Sequence, residues 1–256
     1  MILRRFMQHV KEQNWFAVGL DIVVVIVGIF LGMQVQQWYE EREFKSQERD
    51  YLSDVYEEVV YLSEDLELRK EFTNQVVESG KRALNYLDGD SSCEPECEDL
   101  LIDFFHASQF WATEHKQEKY NLALSLGFPT DELAKATVDD LHNYFRGWHA
   151  INQFSPPYRE TVRSYFSADV FELLWVKCHV ILSGGIEALI RDCKDDLASY
   201  DTTKILKAIH QDPTIRNELR FWVGQNLFAV KYNPTISKQA TSTIQVLSDL
   251  LKNWND

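Results

Sequence analysis

Residues 16–35, FAVGLDIVVVIVGIFLGMQV, form a run of twenty residues interrupted by a single charge, Asp21. As a helix rising about 1.5 Å per residue, the run is roughly 30 Å long, the thickness of a bilayer's hydrocarbon core. No water reaches the peptide groups there, so one segment crosses alone only as a helix. Its thirteen Leu, Ile, Val and Phe residues each favour insertion by roughly 0.3–0.6 kcal/mol, against a cost of about 3 kcal/mol for a central Asp. Asp21 lies toward the amino end, where that cost falls, so insertion wins. Trp15 at one end and Trp38 and Tyr39 at the other are the expected interface anchors. Two competing readings fit less well. A buried core helix would need the rest of the chain to cover all sides of the run. A cleaved signal peptide has an apolar region of roughly 7–15 residues and then a small-x-small site, whereas Gln34, Gln36, Gln37 and Trp38 follow here.

The charge distribution bears on orientation. Arg4, Arg5 and Lys11 precede the span and Arg42, Lys45 and Arg49 follow it, so counting basic residues gives a tie. The whole chain carries a formal charge of -14, with 40 Asp and Glu against 26 Lys and Arg. Residues 1–20 carry +2, which leaves -16 for the remainder. Moving a basic tail outward against a negative-inside potential costs about 2.3 kcal/mol per charge per 100 mV, while export of an acidic domain is favoured. The expected topology is a bacterial inner-membrane, single-pass protein with its amino terminus cytoplasmic and its carboxy-terminal domain periplasmic. The same acidic balance argues against nucleic acid as a partner, because phosphate neutralisation needs clustered Lys and Arg.

The run NWFAVGLDIVVVIVGIFLGMQVQQWYEE resembles the amino-terminal anchor of a group of uncharacterised bacterial single-pass membrane proteins. Asp21, Gly28, Gly32, Gln34 and Trp38 match its pattern of acidic residue, Val/Ile run, Gly, Gln and Trp. ATEHKQEKYNLALSLGF and HQDPTIRNELRFWVGQNL are loosely similar to helices of that group. The resemblance implies a mostly helical membrane protein and brings no established activity.

After Trp38 the sequence turns charged and helical, and no Pro or Gly interrupts from Gln34 to Ser79. Leu52, Val55, Val59, Leu62 and Leu66 recur at spacings of three and four, a heptad-like seam. Two readings stand side by side: a coiled-coil seam between protomers, or one amphipathic helix packed on its own domain. The helix should end near Leu87, at the turn signal Asp88-Gly89-Asp90-Ser91-Ser92. Beyond it Gly127 caps a helix and Thr137-Val138-Asp139-Asp140 reads as a capping box opening the next. Ser155-Pro156-Pro157 restarts the chain, Gly184-Gly185 divides a hairpin, and Asp212-Pro213 is an N-cap with Pro at N1. Asn233-Pro234 precedes a last helix ending near Trp254. Only ten Gly and six Pro occur in 256 residues, too few for a turn-rich β-sandwich. The expected fold is all-α: a cytoplasmic tail over 1–14, a transmembrane helix over 15–38, a stalk helix over 39–92 and a periplasmic bundle of roughly seven helices over 93–256. Phe104, Phe105, Trp111, Tyr144, Trp148, Trp175 and Trp222 are expected in the core.

Asp21, Gly28 and Gly32 share one face of the membrane helix. Gly28-x-x-x-Gly32 permits close backbone approach and a buried carboxylate needs a partner, so these three are the candidates for helix association in the membrane. The alternative is that Asp21 merely reaches the headgroup zone. Cys93 and Cys97 in a turn suit a local disulfide in an oxidising compartment. Cys178 and Cys193 flank Gly184-Gly185 at similar distances, so an antiparallel hairpin brings them face to face. The alternatives are free thiols for the second pair and a metal clip for the first, although no second ligand pair follows. His142 and His149 lie seven residues apart on one helix. No zinc-protease HExxH, EF-hand loop, GxSxG elbow or phosphate loop occurs, and Asp139-Asp140 and Asp195-Asp196 point different ways. No catalytic residue, metal or cofactor is expected, and the chain is not read as an enzyme.

The expected partners are the lipid bilayer and either a second copy of the chain or another integral membrane protein. The leading function is an oligomeric scaffold or accessory subunit of a membrane complex. One alternative is a periplasmic ligand sensor signalling through a membrane partner, which predicts a roomy polar pocket in the bundle. Another rests on Asp21, since one span with an Asp near its cytoplasmic end looks like subunits of proton-driven stator complexes. No peptidoglycan-binding signature accompanies it.

Overall fold

The computed structural model describes residues 15–89, 92–111, 117–152, 155–182 and 187–254, excluding the side chains of residues 15–18, 21 and 148–152. The expected tail 1–14, the side chains of Trp15, Asp21, Trp148 and His149, residues His9 and His115, and the turn at Gly184-Gly185 therefore lie outside the described residues. The protein is all-α: eight helices carry the described chain, with one two-stranded ribbon. The first, α1 (Trp15–Asp88), is 74 residues long. Two units, Met1–Tyr51 and Leu52–Asp256, divide the chain.

In the first unit, the described residues of α1 from Ile22 to Val35 are apolar and exposed. Helix α1 is the one helix among the described residues long and apolar enough to cross a membrane, and none of its apolar window is buried by the chain. Its Val/Ile run would be a poor isolated helix in water, because β-branched side chains lose χ1 freedom. In hydrocarbon that preference would be overridden, because the backbone would find no other donors or acceptors. Past the apolar run, Trp38 and Tyr39 are exposed. The Arg42 guanidinium lies 5.4 Å from the centre of the Trp38 ring, and Gln36 donates to Glu40 one turn on at 2.8 Å.

In the second unit the same helix becomes amphipathic and is buried on one side. Leu52, Val55, Val59, Leu62 and Leu66 are at most 4% exposed, so the seam packs within its own domain. The residues expected as a stalk therefore divide at Tyr51, and those from Leu52 onward form part of the core. Seven helices complete the unit: α2 (Cys97–Ala107), α3 (Glu118–Ser125), α4 (Glu132–Asn152), α5 (Pro157–Arg163), α6 (Ala168–Lys177), α7 (Thr202–Gln211) and α8 (Pro213–Asn253). Helix α8 runs antiparallel to α1. Asn233 Nδ2 donates to the Leu66 carbonyl at 3.2 Å, Ser237 to Glu67 at 3.0 Å, and at the far end Arg216 donates to the Leu87 carbonyl. Between these points Gly80 of α1 meets Val223 and Leu219 so closely that a Cβ would overlap Val223 Cγ2. Helix α4 lies along the carboxy-terminal half of α8, where Thr243 Oγ1 donates to the Thr137 carbonyl at 3.3 Å.

At the other end, α2, α5, α6 and α7 gather round the end of α1 and the start of α8. Ala83, Leu87, Leu101, Ile102, Phe104, Phe105, Tyr158, Leu174, Leu206 and Leu219 are sealed there. Strands β1 (His179–Ile181) and β2 (Glu187–Leu189) pair antiparallel in the register His179↔Leu189, and the Ile190 amide donates to the Cys178 carbonyl at 2.9 Å.

Several local expectations need correction. Pro234 does not start a helix but lies inside α8. The buried neighbours Asn233, Ile236 and Ala240 show why tertiary packing outweighs the lost N–H. Thr137–Asp140 lies within α4, and the first turn of that helix is capped by Asp131 Oδ1, which accepts the Ala134 amide at 2.8 Å. Tyr144 is 40% exposed, and Trp111 and Trp175 sit at the edges of cores rather than inside them. By contrast Gly127 adopts φ 85° just after α3, and Asp212 caps α8 by accepting the Thr214 amide at 2.8 Å.

Candidate functional site

The membrane-helix candidates are placed simply. Among the described residues, a Cβ at Gly28 or Gly32 would meet nothing within 4 Å beyond the helix's own backbone. The small-residue face is open, as contact with another helix requires. Trp38 and Tyr39 stand exposed beyond it at 60% and 63%. Asp21 shares the backbone face, and its side chain lies outside the described residues.

A second candidate is a polar cleft in the helical domain, and motif reading missed it. One face of α1, at the spacing of helical turns, supplies Glu71, Asn74, Gln75, Glu78, Ser79 and Arg82. The facing wall is His106 of α2, Leu189 of β2 and Arg191 just after it. The cavity is about 310 Å³, within the usual range for small-molecule sites. Beneath it lies Asp103, 2% exposed. Arg82 grips that carboxylate with two bonds, Nε to Oδ2 and Nη2 to Oδ1, both at 2.8 Å. Arg191 donates to Oδ1 as well. Arg82 Nη2 also reaches Ser79 Oγ at 3.1 Å, and Arg191 lies 3.9 Å from Asp99, which Lys194 approaches at 3.6 Å. Both arginine side chains remain more than two-fifths exposed. The acid is thus sealed while its two cations face the cleft. The sequence held one signal of this, an Asp inside the apolar run LLIDFF of α2.

Around the cleft the ionisable groups are held by burial. His106, 1% exposed, has its pKa pushed down to about 4 by desolvation, against the Cys178 carbonyl bond and Asp103, which both raise it. Its Nε2 lies 2.8 Å from the Cys178 carbonyl; since a carbonyl only accepts, that nitrogen carries the proton. Arg159 and Arg163 cover the carboxy end of α2, donating to the Ser108 carbonyl and to Ser108 Oγ at 3.0 and 2.9 Å, where cations complement the helix dipole. Arg163 stacks over Phe105, Phe171 and Trp175 at 5.3, 5.5 and 5.7 Å, and burial brings its pKa down to about 9. This cluster is packed on itself.

A third group lies between α1, α3 and α4. Tyr120 stacks on His142 with ring centres 4.7 Å apart and donates to Asp139 at 2.7 Å. Glu58 accepts the Lys119 amide at 2.9 Å and lies 3.5 Å from His142 Nε2. Burial raises the Glu58 pKa and lowers that of His142 to about 4. These bonds tie α3 to α1, a structural task. A larger cavity of about 430 Å³ lies between the start of α5 and α8, lined mainly by Pro156, Pro157, Tyr158, Phe221 and Trp222.

The four cysteines form two pairs at disulfide distance. Cys93 and Cys97 join the turn to the first residue of α2 with Cα atoms 4.8 Å apart. Cys178 and Cys193 clip the base of the ribbon at 5.5 Å. Among the described residues no group of three or more His, Cys, Asp or Glu could hold a metal ion. Comparison of the chain with protein families, with curated proteins and with solved structures gives no match.

Proposed function

We propose that the chain is a non-enzymatic, single-pass inner-membrane protein whose helical domain is periplasmic, working as a scaffold or accessory subunit of a membrane complex. The observation that carries this reading is the exposure of α1 between Ile22 and Val35. Its large apolar residues there are 49–64% exposed in one contiguous patch, more than a water-soluble monomer leaves uncovered. Lipid covers such a patch, and the open face at Gly28 and Gly32 is where another membrane helix packs. The partner is a second copy or another integral protein. The two cysteine pairs and the -16 charge beyond residue 20 favour the periplasmic side.

Gly28→Leu combined with Gly32→Leu tests the association. A Cβ at either position meets nothing within 4 Å beyond the helix's own backbone among the described residues, so the domain's melting temperature stays unchanged while crosslinking to the partner in native membranes falls. Unchanged crosslinking overturns the role of this face.

The cleft favours a second reading, a ligand sensor acting through a membrane partner. Six of its lining residues belong to α1, the helix that also carries the apolar segment.

A further inference from the structure

We propose that the cavity between the start of α5 and α8 binds a small primary amine with an apolar body, its ammonium on Glu218 and its body against Phe221 and the pair Pro156-Pro157. This cavity shares no lining residue with the α1 cleft, and its ligand is independent of the membrane reading.

Among the described residues, Glu218 is the one charged side chain on the cavity wall. Its Oε2 is sealed from water with no hydrogen-bond partner there, whereas Oε1 is not sealed in that way. A carboxylate oxygen shut off from water without a donor costs free energy, and native folds rarely leave one so. The basic residues of the two flanking helix segments are engaged elsewhere. Arg159 and Arg163 donate to Ser108, Arg216 to the Leu87 carbonyl and Arg220 to Asp88. The wall thus carries an acid with no cation of its own to match it. The last torsion of a Glu side chain is broad and two-fold, so an N–H donor that reaches the carboxylate from the cavity can serve either oxygen.

The rest of the wall selects the body of the ligand. Glu218, Phe221, Trp222 and Gln225 follow one another on one face of α8. Trp222 Nε1 donates to the Ala107 carbonyl at 2.9 Å, and the Tyr158 hydroxyl to the Phe104 carbonyl at 3.1 Å. Both polar ends are spent inside the core, so neither brings the cavity a donor for an anion. Pro156 and Pro157 have no N–H to offer either. Phe221 is 67% exposed, a ring that core packing does not use and whose face attracts a cation beside it. The volume of about 430 Å³ suits a small molecule. One acid matches one charge, which favours a monoamine over a diamine. A quaternary ammonium has no N–H and cannot satisfy the carboxylate as a primary amine does.

The test is isothermal titration of the full chain in detergent with phenethylamine, phenethyl alcohol, trimethylphenethylammonium and ethylamine. Phenethylamine saturates the site. Phenethyl alcohol, of the same shape but neutral, binds at least about tenfold more weakly because the charge-assisted bond is lost. The trimethyl analogue is weaker for want of an N–H, and ethylamine for want of an apolar body. Glu218→Gln keeps the melting temperature and abolishes the preference for amine over alcohol, which also separates the site from uptake into micelles. Phe221→Ala, at an exposed position, keeps the melting temperature and weakens phenethylamine. Equal binding of amine and alcohol, a preference that survives Glu218→Gln, or no saturation at millimolar concentration overturns the proposal. Binding of the trimethyl analogue as tightly as phenethylamine contradicts the N–H bond to Glu218, and equally tight ethylamine contradicts the apolar wall.

Discussion

At the scale of single residues, two buried histidines and one glycine carry testable consequences. His106 and His142 are neutral in the fold because burial holds each near a pKa of about 4. In the unfolded chain they titrate near 6.5, so between about pH 6.5 and 4 the unfolded state binds more protons. Their contribution is complete above pH 6.5 and disappears as the pH falls through that window, about 3 kcal/mol for each. Glu58, raised by burial, acts with the opposite sign just above its ordinary value, which makes His106 the cleaner reporter. Melting temperature should fall steeply from pH 6.5 to 4.5, and His106→Gln should flatten that slope. A parallel slope in the variant would show that other groups govern the acid limb. Gly80 is the close contact of α1 with α8. Ala is the better helix former by about 1 kcal/mol, yet here its methyl meets a short branched side chain that cannot swing aside. Gly80→Ala should destabilise by about 1–3 kcal/mol, and Val223→Ala in the same chain should restore part of the loss. A stabilised single variant in urea unfolding would contradict the contact.

Elements were legible in the sequence to different depths. The α1 seam was readable as a period of three and four because one strip of that helix is buried, but the strip's partner was not. Val59, 0% exposed, would look the same facing a second protomer or facing its own domain. The structure places it in the monomer's core, so Val59→Ala should cost about 1–3 kcal/mol of domain stability. Oligomeric state should remain unchanged by crosslinking, and a loss of oligomers with full stability would return the seam to an interface. Pro234 misled for a related reason. A proline is a local signal, whereas Asn233, Ile236 and Ala240 are held by contacts with residues far away in sequence, such as the Leu66 carbonyl. Caps and turns made by neighbours, at Gly127 and Asp212, were readable. The cleft was not, because Arg82, Asp103 and Arg191 come from separate elements and match no short motif. Only the acid within LLIDFF hinted at it.

At the scale of the whole molecule, the proposed function takes the membrane location from the apolar run of α1 and the orientation from the acidic remainder. The exposed segment has no covering among the described residues, and the domain beyond Leu52 has a core of its own. The proposed function is that of a helical domain exported on a single span. The most direct test is proteolysis of intact spheroplasts, followed by immunoblotting for the carboxy-terminal helix. The account predicts that external protease removes this region without permeabilisation while a cytoplasmic marker survives. Protection of the domain until the inner membrane is lysed would contradict it.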